Sequence, residues 1–247
     1  MNFPIPDLSV VVLCYRSADT IASFVESLSV SLDRDAPNWE LVLVGNYFEN
    51  SGDRTPQVVT DLAKTDPRIQ AVALVKQGMM GWDLKSGLRA ARGRFLTFID
   101  GDGQMPYEDV IRCYKKLKGE NLDLVKTFRF KRSDGFYRVC ISAIYNFLFK
   151  LLFPGLKSVD INSKPKIFKR EVYEKMDLTS DGWFIDAEIM IQARRLHLKI
   201  GEVPTVFYGI DSRPSFIKPL ALLEFLGNLI YYRILEFVRH FRDEKKK

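Results

Sequence analysis

Phe95-Leu96-Thr97-Phe98-Ile99-Asp100-Gly101-Asp102-Gly103-Gln104 reads in two halves. The first five residues are aromatic, β-branched or leucine, a run that predicts a buried strand. The second half holds two carboxylates, Asp100 and Asp102, with glycines between and after them and an amide at Gln104. In an open α/β sheet the carboxyl ends of the strands are where ligands sit. Two acids at i and i+2 there cannot share an apolar neighbourhood without a cation, because unpaired buried charge is costly. Hard oxygen ligands of this kind suit Mg²⁺ or Mn²⁺, ions that keep waters and take further ligands from a substrate's phosphates. The bland alternative is a solvated turn with incidental acids, and a strand pointing straight into the pair counts against it.

Outward from this strand the chain alternates. Leu8–Tyr15 is a continuous apolar run, hence a strand buried on both faces as parallel sheets require. Asp19-Thr20 are expected to cap a helix over Ile21–Leu32. Trp39–Val44 is the second strand, followed by a polar loop and a helix opened by Thr55-Pro56. Ile69–Val75 is the third strand, and Trp82–Ala91 a helix that stops at Gly93. Beyond the quoted stretch come a helix over Tyr107–Lys118, a strand over Leu122–Phe130 and an apolar segment, Phe136–Phe153. Ile161–Phe168 forms a lysine-bearing loop and short strand. A helix follows over Arg170–Met176, another over Asp186–Leu196 with acids in its first turn, and a last strand over Ile200–Phe207. Strands and helices joined by short links predict a mostly parallel sheet covered by helices. No Gly-x-Gly-x-x-Gly follows the first strand and no Walker lysine loop is present, which argues against dehydrogenases and P-loop NTPases.

The 247 residues suffice for one large domain with a sizeable core. A net charge of +6 with 31 acidic residues is no polybasic tail and implies no nucleic-acid partner, while remaining compatible with phosphate-bearing substrates or an anionic membrane. Cys14, Cys113 and Cys140 fit no zinc spacing and read as core thiols in a reducing compartment. Nothing at Met1–Leu8 reads as a signal peptide, and no stretch reaches the roughly 20 apolar residues a membrane span needs. A cytoplasmic protein, with peripheral contact to the cytoplasmic face of a membrane as an open option, is the expectation.

Five pieces, taken together and in order, resemble glycosyltransferase family 2 with the Rossmann-like GT-A fold, and within it the polyprenyl-phosphate sugar synthases. They are Val10-Val11-Val12-Leu13-Cys14-Tyr15, Asp100-Gly101-Asp102-Gly103-Gln104, Asp160-Ile161-Asn162-Ser163-Lys164-Pro165-Lys166-Ile167-Phe168, Phe184-Ile185-Asp186-Ala187-Glu188-Ile189 and Gly201-Glu202-Val203-Pro204. The resemblance implies a GT-A domain over residues 1–215 and an amphipathic extension with a basic tail over residues 216–247. It implies donor contacts at Leu13, Tyr15, Val44, Asn46, Asp100, Gly101 and Asp102, with Asp102 and Gln104 holding Mg²⁺ or Mn²⁺ on the diphosphate. It gathers Arg129, Arg138, Arg213 and Lys164 around an acceptor phosphate, and makes Asp102, Asp186 and Arg213 the catalytic positions. The implied reaction is inverting transfer of a sugar from a nucleotide-diphosphate sugar to a polyprenyl (dolichyl-type) phosphate. Transfer to a sugar hydroxyl of a glycan or glycolipid with Asp186 as base, and a non-catalytic nucleotide-sugar-binding relative, are the alternatives. Asp186 can equally cap its helix.

The chain departs from the common pattern in three places. The usual Pro-x-Tyr-Asn-Glu is Leu13-Cys14-Tyr15-Arg16-Ser17, and the paired aspartates after the second strand are Gly45-Asn46. Losing the carboxylate at Asn46 leaves the donor's base and sugar open. The loop Gln77–Lys85 is richer in apolar and aromatic residues, with Trp82 placed either to stack on a ligand or to pack. Ile141–Phe153 and Leu220–Phe241 have the amphipathic, aromatic character of helices that lie on membranes, or of helices that pack on the core or on a second subunit.

Overall fold

The structure, a computed structural model, describes residues 4–132, 136–209 and 221–244. Its strands are β1 (Leu8–Leu13), β2 (Trp39–Val44), β3 (Ile69–Val72), β4 (Phe95–Asp100), β5 (Leu124–Arg132), β6 (Lys166–Lys169) and β7 (Ile200–Phe207). Its helices are α1 (Ile21–Asp35), α2 (Thr55–Ala63), α3 (Met80–Ala90), α4 (Glu108–Gly119), α5 (Phe136–Leu152), α6 (Arg170–Tyr173), α7 (Ile185–Arg195) and α8 (Ala221–Glu244). The strands form one seven-stranded sheet in the order β3-β2-β1-β4-β6-β5-β7. All neighbours run parallel except β6, which is antiparallel to both β4 and β5. This is the mostly parallel, helix-covered sheet expected from the alternation.

Continuous apolar strands need cover on both faces, and the core divides accordingly. Along β1, Val11 and Leu13 enter one hydrophobic cluster with α3, α5, α7 and α8, while Leu8, Val10 and Val12 enter the other with α1, α2 and α4. The same two-residue alternation recurs in β2 and β4. Phe98, Phe149, Phe153, Phe168 and Phe184 are among the largest fully buried side chains, each worth about 1.5–3 kcal/mol of transfer free energy. Close packing extends to backbone: a methyl group on Gly87 of α3 would stand 2.4 Å from Val11 Cγ1 and 2.7 Å from Val44 Cγ2. Helix α8 joins the core through Phe225 and Leu229, with the Phe225 ring 5.6 Å from that of Tyr145 on α5 and Tyr232 5.0 Å from Phe184.

Several local expectations shift. β1 ends at Leu13, so Tyr15 lies in the following turn, where Arg16 adopts a φ of 52°. Thr20 occupies the cap position of α1 without a side-chain cap; the Ser17 carbonyl receives the Thr20 and Ile21 amides instead. β3 stops at Val72, with Val75 making only an isolated bridge to Tyr47. α6 is a single turn, shorter than the helix expected to Met176. Among the described residues no helix is long and apolar enough to cross a membrane. All three cysteines are free.

Candidate active site

The parallel register brings three strand ends into one row. Leu13 pairs with Val44 on one side and with Asp100 on the other, so residues expected at the donor lie side by side at the carboxyl edge. Gly101 continues the row, its amide donating to the Leu13 carbonyl at 2.9 Å. A side chain there has no room, since a Cβ would sit 2.7 Å from Ile21 Cδ1. The chain then turns at Gly103, whose φ of +75° favours glycine. Asp102 Oδ1 accepts the Gln104 amide at 3.1 Å, a side-chain-closed turn. Gln104 is stapled to the exit of β7: its Nε2 donates to the Tyr208 carbonyl at 3.2 Å and its carbonyl accepts the Tyr208 amide at 2.9 Å.

Tyr15 and Asn46 flank this row differently. The Tyr15 ring meets Phe48 edge-on, and the Lys76 ammonium sits 4.2 Å from its centroid. Asn46 is fully buried: its Nδ2 donates to Asp83 Oδ1 at 3.0 Å and Ser86 Oγ at 2.9 Å, and its Oδ1 accepts the Leu74 amide at 2.8 Å. Asp83 also receives the buried Lys76 ammonium, and burial pushes the Asp83 carboxyl above its ordinary range despite that partner. Asn46 therefore ties α3 to the β2 and β3 exits with both amide donors engaged. The β1–α1 turn is bound to the start of α2 through Thr55 Oγ1, which accepts the Ser17 amide at 3.1 Å. Trp82 packs against the 180–182 turn, and no acceptor among the described residues reaches its buried indole N–H.

On the other side of Asp100 lies a group of buried lysines. β6 pairs Lys166 with Phe98 of β4 and with Lys126 of β5, which places both lysines in the sheet interior. Lys166 donates to Asp186 Oδ1 and to the Ser163 carbonyl at 2.9 Å. Burial pulls its pKa down to about 8, with the Asp186 charge opposing. Lys126, whose pKa burial also lowers, donates to Glu202 Oε1 at 3.0 Å. Lys164 stands between carboxylates, 2.7 Å from Asp100 Oδ2 and 3.7 Å from Asp186 Oδ2. The approach to β6 thus joins the end of β4 to the start of α7. Asp186 makes no cap to its helix and pairs with lysine instead, which corrects the capping alternative. The Tyr145 hydroxyl of α5 is buried without a hydrogen-bond partner among the described residues and feels the Asp186 charge.

Of the cations expected around an acceptor phosphate, Arg129, Arg138 and Lys164 lie among the described residues. Arg129 grips Asp160 with both prongs, Nε to Oδ2 at 2.6 Å and Nη2 to Oδ1 at 2.8 Å. Burial raises the Asp160 pKa, but the Arg129 hydrogen bonds and charge outweigh that and hold the carboxyl below the usual range. Arg138 is exposed in the first turn of α5, Lys164 lies against Asp100, and Arg213 falls outside the described residues. Sequence reading had no hold on Lys76–Asp83 or on the Asp160 partner of Arg129, because each pair closes only in the folded sheet. Their one sequence signal is a charge inside or beside an apolar run.

For a divalent ion the donor set fits in part. Asp102, half-buried, and Gln104 offer hard oxygens on one rigid turn, while no cluster of three acidic, histidine or cysteine side chains exists among the described residues. Such a pair suits an ion that draws its remaining ligands from a diphosphate.

Comparison with known proteins points the same way. The family model described as glycosyl transferase family 2 matches residues 9–177. A dolichyl-phosphate beta-glucosyltransferase of Saccharomyces cerevisiae is 24% identical over 97% of this chain and 78% of its own. Glucosyl-3-phosphoglycerate synthase from Mycobacterium tuberculosis, solved with UDP, superposes with a TM-score of 0.72 at 21% identity, covering 94% of this chain and 85% of that one. Its complex with Mn²⁺, UDP and glucosyl-3-phosphoglycerate gives a TM-score of 0.67 at 22% identity, over 93% and 77% of the two chains. With the Asp100–Gln104 turn seated at the aligned ends of β1, β2 and β4, and a family match running from β1 beyond β6, this chain belongs to glycosyltransferase family 2.

Proposed function

We propose that the chain transfers a sugar from a nucleotide-diphosphate donor to a polyprenyl phosphate at a membrane surface, with inversion. The observation that carries the donor half is the row formed by Leu13, Val44 and Asp100, with Asp102 and Gln104 on the turn that leaves it. A nucleotide laid across β1 and β2 has its diphosphate at Asp100–Gln104 and its sugar toward Lys164 and Asp186. Asp102 and Gln104 would hold Mg²⁺ or Mn²⁺, which supplies positive charge to the diphosphate as it departs. The UDP and Mn²⁺ named with the solved relatives support this assignment.

The acceptor half rests on chemistry. A phosphate acceptor is already ionised near neutral pH and attacks the anomeric carbon in line without a base. Asp186 Oδ1 is engaged by Lys166, so this carboxylate serves better as an anchor for that lysine than as a proton acceptor. The dolichyl phosphate in the name of the yeast relative supports the same reading. Hydroxyl transfer is the second reading, favoured by the position of Asp186 one lysine away from Asp100. On either reading Tyr15, Asn46 and Gly101 shape the donor side, Asn46 through the positions of α3 and the β3 exit. Arg129, Arg138 and Arg213 remain the proposed acceptor-side cations, with Arg129 oriented by its ion pair to Asp160.

The test is a thermal-shift panel of UDP-, GDP- and dTDP-sugars with and without Mn²⁺, followed by transfer from the stabilising donor to a short-chain polyprenyl phosphate. A ligand that binds only the folded state raises the melting temperature by mass action. One nucleotide should stand out, and only with metal. Asp186→Asn should retain transfer to a phosphate; its loss there, with glycan-hydroxyl transfer in the wild type, would shift the assignment to the second reading. A flat panel would favour a non-catalytic relative.

A further inference from the structure

Lys164 has hydrogen-bonding capacity to spare. An ammonium carries three N–H donors. One goes to Asp100 Oδ2 at 2.7 Å, and another points to Met80 Sδ at 3.1 Å, a thioether and therefore a weak acceptor. Asp186 Oδ2, at 3.7 Å, is near enough for attraction and too far for a hydrogen bond. The side chain is only 9% exposed, so bulk water reaches little of it. Its neighbour Lys166 differs, with two strong acceptors in Asp186 and the Ser163 carbonyl. Buried ammonium groups are ordinarily surrounded by acceptors, because each donor left weakly matched costs free energy.

The backbone holds Lys164 where it is. Its carbonyl accepts Thr127 Oγ1 at 2.5 Å, and the Thr127 amide donates to the Pro165 carbonyl at 3.2 Å. Burial pulls the lysine pKa down, but the charges of Asp100 and Asp186, with Asp102 behind them, more than reverse that and keep the group protonated. A rigidly delivered cation therefore sits between the carboxylates of Asp100 and Asp186. Asp186 is already paired with Lys166 and Asp100 with Lys164, so a divalent cation on Asp102 complements the ammonium instead of competing with it.

We infer that Lys164 is a fixed cation for the terminal phosphate of the donor, its ammonium hydrogen-bonding the phosphate oxygen from which the sugar departs. This rests on the donor reading above. As the bond from the anomeric carbon to that oxygen breaks, its electron pair stays on the phosphate, and the acceptor oxygen supplies the pair for the new bond. Lys164 keeps its proton throughout and offsets the charge through the hydrogen bond. Recognition of the diphosphate in this chain is thus divided between a divalent ion and a built-in ammonium.

Calorimetric titration of the full chain tests it, with UDP, GDP and dTDP against the corresponding monophosphates, in EDTA and in Mn²⁺. In EDTA the wild type should bind its diphosphate about tenfold or more tightly than the monophosphate. Lys164→Met should reduce that ratio to near one while leaving monophosphate affinity unchanged, and Lys164→Arg should preserve most of it. Mn²⁺ should restore part of the diphosphate affinity to Lys164→Met. Equal diphosphate-to-monophosphate ratios in wild type and Lys164→Met would overturn the assignment, as would a wild type with no preference in EDTA. Should Lys164→Met fail to melt cooperatively, Lys164→Gln, which keeps a donor for Asp100 without the charge, makes the same comparison. A wild type that binds none of the nucleotides even with Mn²⁺ would overturn the donor reading and this assignment together.

Discussion

Asp102 and Asp100 are two residues apart and stand in different surroundings. Asp100 closes a strand and is neutralised by Lys164, whereas Asp102 sits on a turn half-open to solvent. Asp102→Asn keeps the shape and removes the charge, so it should leave the fold intact while lowering kcat/KM by about 10²–10³-fold. The same variant should lose the metal-dependent rise in melting temperature with donor; an unchanged rise would remove Asp102 from the metal site. Lys166 makes a separate, pH-dependent prediction. Its folded pKa of about 8 lies below the 10.5 of an ordinary lysine, so between those values the unfolded chain holds more protons and stability climbs with pH. Below about pH 8 that contribution is gone. Urea unfolding from pH 7 to pH 10 should show a steeper rise for wild type than for Lys166→Met, and parallel curves would contradict the burial argument.

At the scale of elements, β6 does the most to shape the site. A four-residue antiparallel strand inserted between β4 and β5 brings Lys164 and Lys166 against a strand end to which neither is close in sequence. α3 contributes by close approach. A Cβ on Gly81 would stand 2.3 Å from the Ser180 carbonyl oxygen and 2.9 Å from that of Gly182, contacts that only backbone movement relieves. Gly81→Ala should therefore cost about 1–3 kcal/mol in denaturant unfolding and displace the 180–182 turn that leads into α7. A neutral Gly81→Ala would show that this turn yields freely, and with it the placement of Asp186.

For the whole molecule the informative surface is the one that the core does not use. Ile144, Phe147 and Leu151 of α5 are exposed, as are Ile230, Ile234 and Phe237 of α8. Helix α8 faces inward through Phe225 and Leu229 and is clamped by the Arg194–Glu236 ion pair at 3.0 Å, so its other side turns outward. Two helices with exposed apolar faces fit the proposed access to an acceptor held in a bilayer. Replacing Phe147, Ile230, Ile234 and Phe237 together by serine should abolish co-sedimentation with anionic phospholipid vesicles while leaving the melting temperature within a few degrees. A wild type that does not bind such vesicles would remove the membrane from the proposal. Deleting residues 221–244, by contrast, uncovers Tyr145 and Phe184 and should lower stability by several kcal/mol, on the order of two or three lost core side chains.

What the sequence determined by itself was local. Apolar runs, turn glycines and the alternation of strand and helix specified the order of elements, both faces of the sheet and the acidic turn after Phe95–Ile99, because each is a property of residues within one or two turns of chain. The donor positions Leu13, Val44 and Asp100 were expected only through the family resemblance, and the parallel register of β2, β1 and β4 sets them in one row. Charge pairing belonged to the tertiary structure. Lys166 meets Asp186 twenty residues on, Gln104 meets Tyr208, and Arg129 spends its fork on Asp160. Each depends on where β5, β6 and β7 fall in the sheet, and on burial that makes an unpaired charge too costly to leave. An arginine or lysine read singly in the chain looks the same whether it will hold a ligand or a neighbouring carboxylate; only the folded partner decides.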